Sequence, residues 1–139
     1  MEEPLTEDLL GELLASDDPV AFAERNAVSH RSLSAYLQQL LEEKGMARSQ
    51  VIRDAGLNET FGYQIFLGQR NPSRNKVLQI AFAMGLSLRE ANRALRAAGV
   101  SELYCKDRRD AIVIFCLSRG CTLQEVQEEL YRFGEDTIC

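Results

Sequence analysis

The sequence has no tryptophan, only three prolines and a single histidine. It also lacks a long apolar segment, since no run approaches the roughly 20 residues that a membrane-spanning helix needs. Its first ten residues, MEEPLTEDLL, are acidic, whereas a secretory signal begins with basic residues. These absences predict a chain that neither spans a membrane nor carries a secretory signal, and we expect it in the cytoplasm.

Patterns typical of metal sites, disulfide frameworks and active sites are lacking as well. The four cysteines all lie within residues 105–139 with no CxxC spacing, and His30 has no Ser or Cys partner at a recognisable spacing. We therefore expect free thiols, no metal and no cofactor. There is no glycine-rich phosphate loop, and paired carboxylates occur only on helix faces predicted to be solvated. The chain is not expected to be an enzyme.

Net positive charge is also missing overall, but the charge is unevenly distributed. The formal charge is −5. Residues 1–31 carry eight acidic and two basic residues (−6), residues 32–80 carry six basic and four acidic (+2), and residues 81–139 carry eight basic and nine acidic (−1). The net-positive middle block is weak support for contact with nucleic acid there. The acidic N-terminal segment is expected to be a solvated helix face, with autoinhibitory cover of the basic block as the alternative.

Helical signals recur along the whole chain. One segment is ambiguous, because residues 111–117 (AIVIFCL) could form a buried strand by composition. A lone strand would have no partner, so we predict a buried helix there. Capping residues and apolar periodicity predict helices over residues 7–15, from residue 19, over 33–44, 47–55, 59–67, 74–84, 88–98, 107–118 and 123–133.

The segment most informative about function is residues 47–73, ARSQVIRDAGLNETFGYQIFLGQRNPS. It predicts a short helix, a turn at Gly56, a second short helix, and a loop in which Pro72 prevents the helix from continuing. This is the layout of a helix-turn-helix unit, whose second helix enters the major groove of DNA.

With these motifs, residues 33–98 resemble the lambda-repressor-like, five-helix DNA-binding domain of the XRE/Cro-type regulators. The resemblance rests on the turn region from Val51 to Gly56, on Ile65, and on the sequence GQRNPS of residues 68–73 before the fourth helix. It covers about half of the chain, and the continuation from Leu103 looks like an extension found in a subgroup of uncharacterised bacterial members.

The resemblance implies an all-α fold with a defined organisation. The expected fold is a lambda-repressor-like five-helix helix-turn-helix domain with N-terminal acidic helices and a C-terminal helix pair. The segments would be an acidic helical stretch over residues 1–31, the helix-turn-helix domain over residues 32–99, and a helical extension over residues 100–139 packed on it in a single compact unit.

The same resemblance places the contacts with DNA. It implies base readers at Glu59, Thr60 and Gln64, and a base or phosphate contact at Arg48, where a glutamine is usual. A glutamine can pair with adenine and a glutamate can accept from cytosine. The loop before the fourth helix and the amides at that helix's start would hold phosphates. The residues predicted to contact DNA are Arg48, Glu59, Thr60, Tyr63, Gln64, Arg70, Asn71, Ser73, Arg74 and Lys76.

Besides Arg48, three residues depart from the family pattern. Ile52 stands where a small residue is usual. Gly62 stands where a buried branched residue is usual, and glycine lowers helix stability by about 1 kcal/mol relative to alanine. Phe61 and Phe66 are expected to fill the space at Gly62. Glu59 puts an acid at the leading tip of the reading helix, where it would repel phosphates.

The expected function is sequence-specific binding of double-stranded DNA by a regulator of transcription. We expect a homodimer, in which the seven consecutive apolar residues 111–117 contribute to the contact between subunits. The alternative is a protein–protein interaction module that keeps the helix-turn-helix fold and has lost DNA binding, which Glu59 and the overall acidity would allow.

Overall fold

In the computed structural model the described residues are 14–15, 17–18, 20 and 32–139. The acidic helices predicted within residues 1–31 lie largely outside them, and so does His30. Residues 32–139 belong to one compact unit and contain seven α-helices and no strand, which confirms the all-α prediction for this part of the chain. The helices are α1 (Leu33–Lys44), α2 (Arg48–Asp54), α3 (Glu59–Phe66), α4 (Arg74–Met84), α5 (Leu88–Ala97), α6 (Arg108–Ser118) and α7 (Leu123–Arg132).

Side-chain caps fix the helix starts at the predicted positions. Ser32, Asn58 and Ser73 each accept a hydrogen bond from the backbone N–H three residues further on. Ser87 and Thr122 form complete capping boxes, each with the glutamate three residues later. Each cap satisfies an amide that the helix itself leaves unpaired, worth about 1 kcal/mol. Helix positions are therefore specified locally by the sequence.

The core is built around α4. Its residues 77–82 are all buried, and the helix packs against α2, α5 and α7. The amide nitrogen of the buried Gln79 donates to the carbonyl oxygen of Ala55 at 2.8 Å, which ties α4 to the turn between α2 and α3. Gly56 in that turn has a φ of 70°, which glycine adopts without strain. The position of α3 is thus set by a hydrogen bond and a turn outside α3 itself.

Gly62 on α3 lies against the side chain of Ile52 on α2. A Cβ atom placed there would lie 2.5 Å from Cγ2 of Ile52 and 2.9 Å from its Cγ1, far inside van der Waals contact. Ile52 therefore occupies space beside Gly62, a role that we predicted for Phe61 and Phe66 and not for Ile52. The two residues are complementary, because a large side chain on α2 meets a missing side chain on α3.

Residues 111–117 are helical, as predicted, and lie within α6. The helix packs against α5 and α7, burying Val113, Cys116 and Leu117. Phe115 lies on the opposite side and is 51% exposed. Part of this apolar segment thus faces solvent.

Candidate nucleic-acid interface

The exposed face of α3 is defined by what the helix buries. Gly62, Ile65 and Phe66 turn inward. Thr60 and Gln64, one helical turn apart, therefore share the outward face, with Thr60 exposed and Gln64 half-buried. Glu59 is exposed in the first turn, where an acid also interacts favourably with the helix dipole. The three predicted base readers are thus available on one surface.

Two arginine–aromatic pairs flank this outward face. The guanidinium carbon of Arg48 lies 4.9 Å from the ring centroid of Tyr63, and that of Arg70 lies 5.8 Å from the ring centroid of Phe61. The two rings are two residues apart on α3, which places them about 200° apart around the helix, on opposite sides of Thr60. The sequence did not reveal these pairs, because neither arginine is near its aromatic partner in the chain.

The loop after α3 folds back onto the helix. The backbone N–H groups of Gln69 and Arg70 both donate to the carbonyl oxygen of Gln64, at 2.8 and 3.2 Å. Asn71, a predicted phosphate contact, donates its side-chain N–H to the carbonyl oxygen of Ala98 at 2.8 Å. Asn71 therefore joins the loop to the end of α5, whereas Arg70 stays on the outer surface beside α3.

Arg74 is turned away from this surface. Its Nη1 and Nη2 donate to the two carboxylate oxygens of Asp110 at 2.9 and 2.8 Å, and Nε and Nη2 donate to the carbonyl oxygens of Ser101 and Glu102 at 3.0 and 3.1 Å. The predicted phosphate contact would have to break these bonds. In the folded protein Arg74 links α4 to the C-terminal extension and is neutralised there.

The surroundings of Asp110 favour its charged carboxylate form. Burial alone would raise the pKa of Asp110, but hydrogen bonds from the Arg74 side chain and the Tyr104 backbone, with the charges of Arg74 and Arg109, outweigh it. The pKa of Asp110 therefore lies below its usual value. A carboxylate beside the start of α4 also opposes the binding of a phosphate by the amides of that helix start.

A polar cavity of about 400 Å³ lies next to this ion pair. Its arginines already have protein partners: Arg108 donates to the carbonyl oxygen of Phe133 at 2.7 Å, and Arg109 donates to those of Asp136 and Thr137 and to Asn75. These bonds fasten the C-terminal residues to α6 and α4. The cavity consequently lies where the C-terminal residues pack on α4 and α6, and the arginines that line it already have protein partners.

The cations left on the α3 side are Arg48, Arg70 and Lys76. Within residues 32–139 none of these three side chains has an acidic partner or makes a hydrogen bond. Ser73 caps α4 by accepting from the backbone N–H of Lys76 at 3.4 Å, so the hydroxyl oxygen is partly committed to the helix start. The open positive charge therefore lies on both sides of α3 and at the start of α4.

Other kinds of site find no support in the part of the chain that the structure describes. No three acidic, cysteine or histidine residues there come close enough together to hold a metal ion, and none of the described helices has the length and apolarity to cross a bilayer. Cys105, Cys116, Cys121 and Cys139 are free thiols. Burial, reinforced by the neighbouring Cys121 thiol, raises the pKa of Cys116 to about 12, so this sulfur is unreactive at neutral pH.

Comparisons of the chain with protein-family models, with curated proteins and with solved structures found no match.

Proposed function

We propose that this chain is a transcriptional regulator that acts in the cytoplasm and binds double-stranded DNA, reading the major groove with α3 in the manner of a lambda-repressor-like helix-turn-helix domain. The observation that carries the proposal is the face of α3. It presents Thr60 and Gln64 between Arg48 and Arg70, two cations that have no acidic partner among the residues that the structure describes. Polar side chains for base edges, bracketed by cations for phosphates, are what a groove-reading helix requires.

Each part of this surface has a separate role in the proposal. Gln64 donates to and accepts from adenine, Thr60 contacts an adjacent base, and Glu59 accepts from the amino group of cytosine. Arg70 and Lys76 contact phosphates, which fixes the position of α3 in the groove without reading sequence. Arg74 has no part in the contact, since its guanidinium is bound to Asp110.

The first prediction separates positioning contacts from reading contacts. Arg70→Ala should weaken binding to all duplex sequences alike and reduce the slope of log K against log salt by about 0.9, because one phosphate contact is lost. Thr60→Ala and Gln64→Ala should instead change the preferred sequence, with about 1–3 kcal/mol of discrimination lost for a bidentate contact. Fluorescence anisotropy with selected and random duplexes over a series of salt concentrations measures both quantities.

Arg132→Ala is the matched control, because it removes one exposed positive charge from α7 rather than from the α3 face. This variant should leave the salt slope and the preferred sequence unchanged. Absence of duplex binding by the unaltered protein at low salt would show that the proposed function is wrong.

A protein-interaction module is the second candidate. Leu67, at the end of α3, is 57% exposed and adjoins the same surface as the aromatic pairs. A large exposed apolar side chain is a feature of protein-binding surfaces. Affinity that changes little between low and high salt, together with a protein ligand, would favour this candidate, since apolar contacts release no counterions.

The second prediction concerns the homodimer, which would present two copies of α3 to half-sites about 34 Å apart. Phe115 is the exposed member of the apolar segment of α6. Phe115→Asp should therefore leave the fold intact, halve the mass measured by light scattering and weaken binding to a palindromic site. A monomeric mass for the unaltered protein at micromolar concentration, on and off DNA, would contradict the dimer.

A further inference from the structure

Arg48 belongs to α2 by sequence but to the α3 surface by position. It is the first residue of α2, yet its guanidinium lies over the ring of Tyr63 on α3. Tyr63 is half-buried and packs against the core, so the ring is a fixed support. Within residues 32–139 the guanidinium makes no hydrogen bond or ion pair. The structure thus holds an arginine in place by an aromatic face while leaving its N–H donors unused.

The Tyr63 ring determines where the N–H donors of Arg48 lie. In a helix-turn-helix unit the first helix crosses the DNA backbone and the second lies in the groove. An arginine whose position was set by α2 would meet phosphate. Arg48 is instead held by Tyr63 of α3, on the side of that helix next to Thr60. If α3 lies in the groove, as in the proposed function, the guanidinium of Arg48 would enter the groove together with that helix. Guanine presents two acceptors, O6 and N7, at the spacing of the guanidinium fork.

We propose that Arg48, held by the ring of Tyr63, reads a guanine in the major groove. The inference rests on the proposed function, and it names one base of the recognised sequence and the residue that selects it. The aromatic support reduces the side-chain freedom that Arg48 would lose on binding, which favours a directional contact over a diffuse one.

Arg70 provides a comparison within the same protein. It lies over Phe61 at the longer distance of 5.8 Å and projects from the exposed loop that follows α3. Both arginines have the same charge and an aromatic neighbour on α3, but Arg70 starts from a loop outside the helix pair. A contact of Arg70 with phosphate and of Arg48 with guanine should give different signatures in one experiment.

The experiment is selection of binding sites from random duplexes, followed by affinity measurements over a range of salt, for the full chain. The unaltered protein should select a guanine at one fixed position. Arg48→Ala should lose that guanine preference by about tenfold or more, as expected for a bidentate base contact, while the neighbouring selected positions persist. Arg48→Lys keeps the charge without the fork and should lose most of the same preference. Tyr63→Phe should retain it, and Tyr63→Leu should weaken it.

Arg70→Ala, in contrast, should leave the selected sequence unchanged and lower affinity on all duplexes, with a salt slope smaller by about 0.9. If Arg48→Ala behaves as Arg70→Ala does, lowering affinity on all duplexes without changing the selected sequence, then Arg48 contacts phosphate and the inference is wrong while the proposed function stands. If the unaltered protein selects no duplex, both are wrong. Circular dichroism of each variant verifies that the helical fold is retained.

Discussion

Replacing Gly62 by alanine should destabilise the protein, although alanine is the better helix former. In an unobstructed helix the change would gain about 1 kcal/mol. Here the new Cβ would lie 2.5 Å from Cγ2 of Ile52, so either the Ile52 side chain or the backbone of α2 would have to shift. Overpacking of this kind costs about 1–3 kcal/mol. The net loss should appear as a lower midpoint in denaturant at unchanged slope.

The sign of this effect should reverse when Ile52 is shortened. Ile52→Ala alone removes a side chain that is 3% exposed and should cost about 2–5 kcal/mol. In that background the three atoms nearest to the new Cβ are gone, so Gly62→Ala should be stabilising, and Gly62→Val should recover more stability by filling the cavity. The two single changes are therefore strongly non-additive. If Gly62→Ala has the same effect in both backgrounds, Ile52 does not occupy the space beside Gly62.

Removing the carboxylate of Asp110 should have a second large effect. Asp110→Ala leaves Arg74 partly buried without its charge partner, since the Arg74 side chain is only 24% exposed. Breaking such a pair by deleting one member costs about 3 kcal/mol, at the lower end of the range for buried pairs. Glu135→Ala is the matched control: it breaks an ion pair whose Arg108 side chain is 70% exposed, and should cost at most about 1 kcal/mol.

The contribution of Asp110 should also depend on pH. The folded-state pKa of Asp110 lies below its usual value, so the stabilisation is complete above about pH 5 and is lost as the pH falls through the folded-state pKa, below about 4. The difference in unfolding free energy between the unaltered protein and Asp110→Asn should shrink between pH 5 and pH 3. The pKa of Glu90 is also lowered, but its contribution to the pH dependence of the unfolding free energy is the same in both proteins and cancels in the difference. A difference independent of pH would show that the charge of Asp110 does not stabilise the fold.

This ion pair also changes how binding data should be read. If the chain binds DNA as proposed, Arg74→Ala would weaken binding even without a contact between Arg74 and DNA, because the link between α4 and the extension would be lost. Within residues 32–139 Arg70 and Lys76 have no acidic or hydrogen-bonding partner, so their replacement tests phosphate contact without breaking an ion pair.

Most of the described helices begin at residues that the sequence specifies locally. Ser32, Asn58 and Ser73 bond amides three residues away, and the capping boxes at Ser87 and Thr122 are equally local. Such interactions depend only on the order of neighbouring residues. The same holds for the outward face of α3, because helical periodicity alone places Thr60 and Gln64 together.

Which arginines lack a carboxylate partner, and so can contact a ligand, depends on the tertiary structure. Arg74 and Arg70 look alike in the sequence, but Arg74 meets a carboxylate 36 residues away and Arg70 meets none within residues 32–139. The filling of the space beside Gly62 by Ile52, and the placing of Arg48 on Tyr63, likewise depend on how α2 packs against α3. Local hydrogen bonds specify where helices form. The partner of a long side chain depends instead on how the helices pack, because packing decides which residues lie within reach of that side chain.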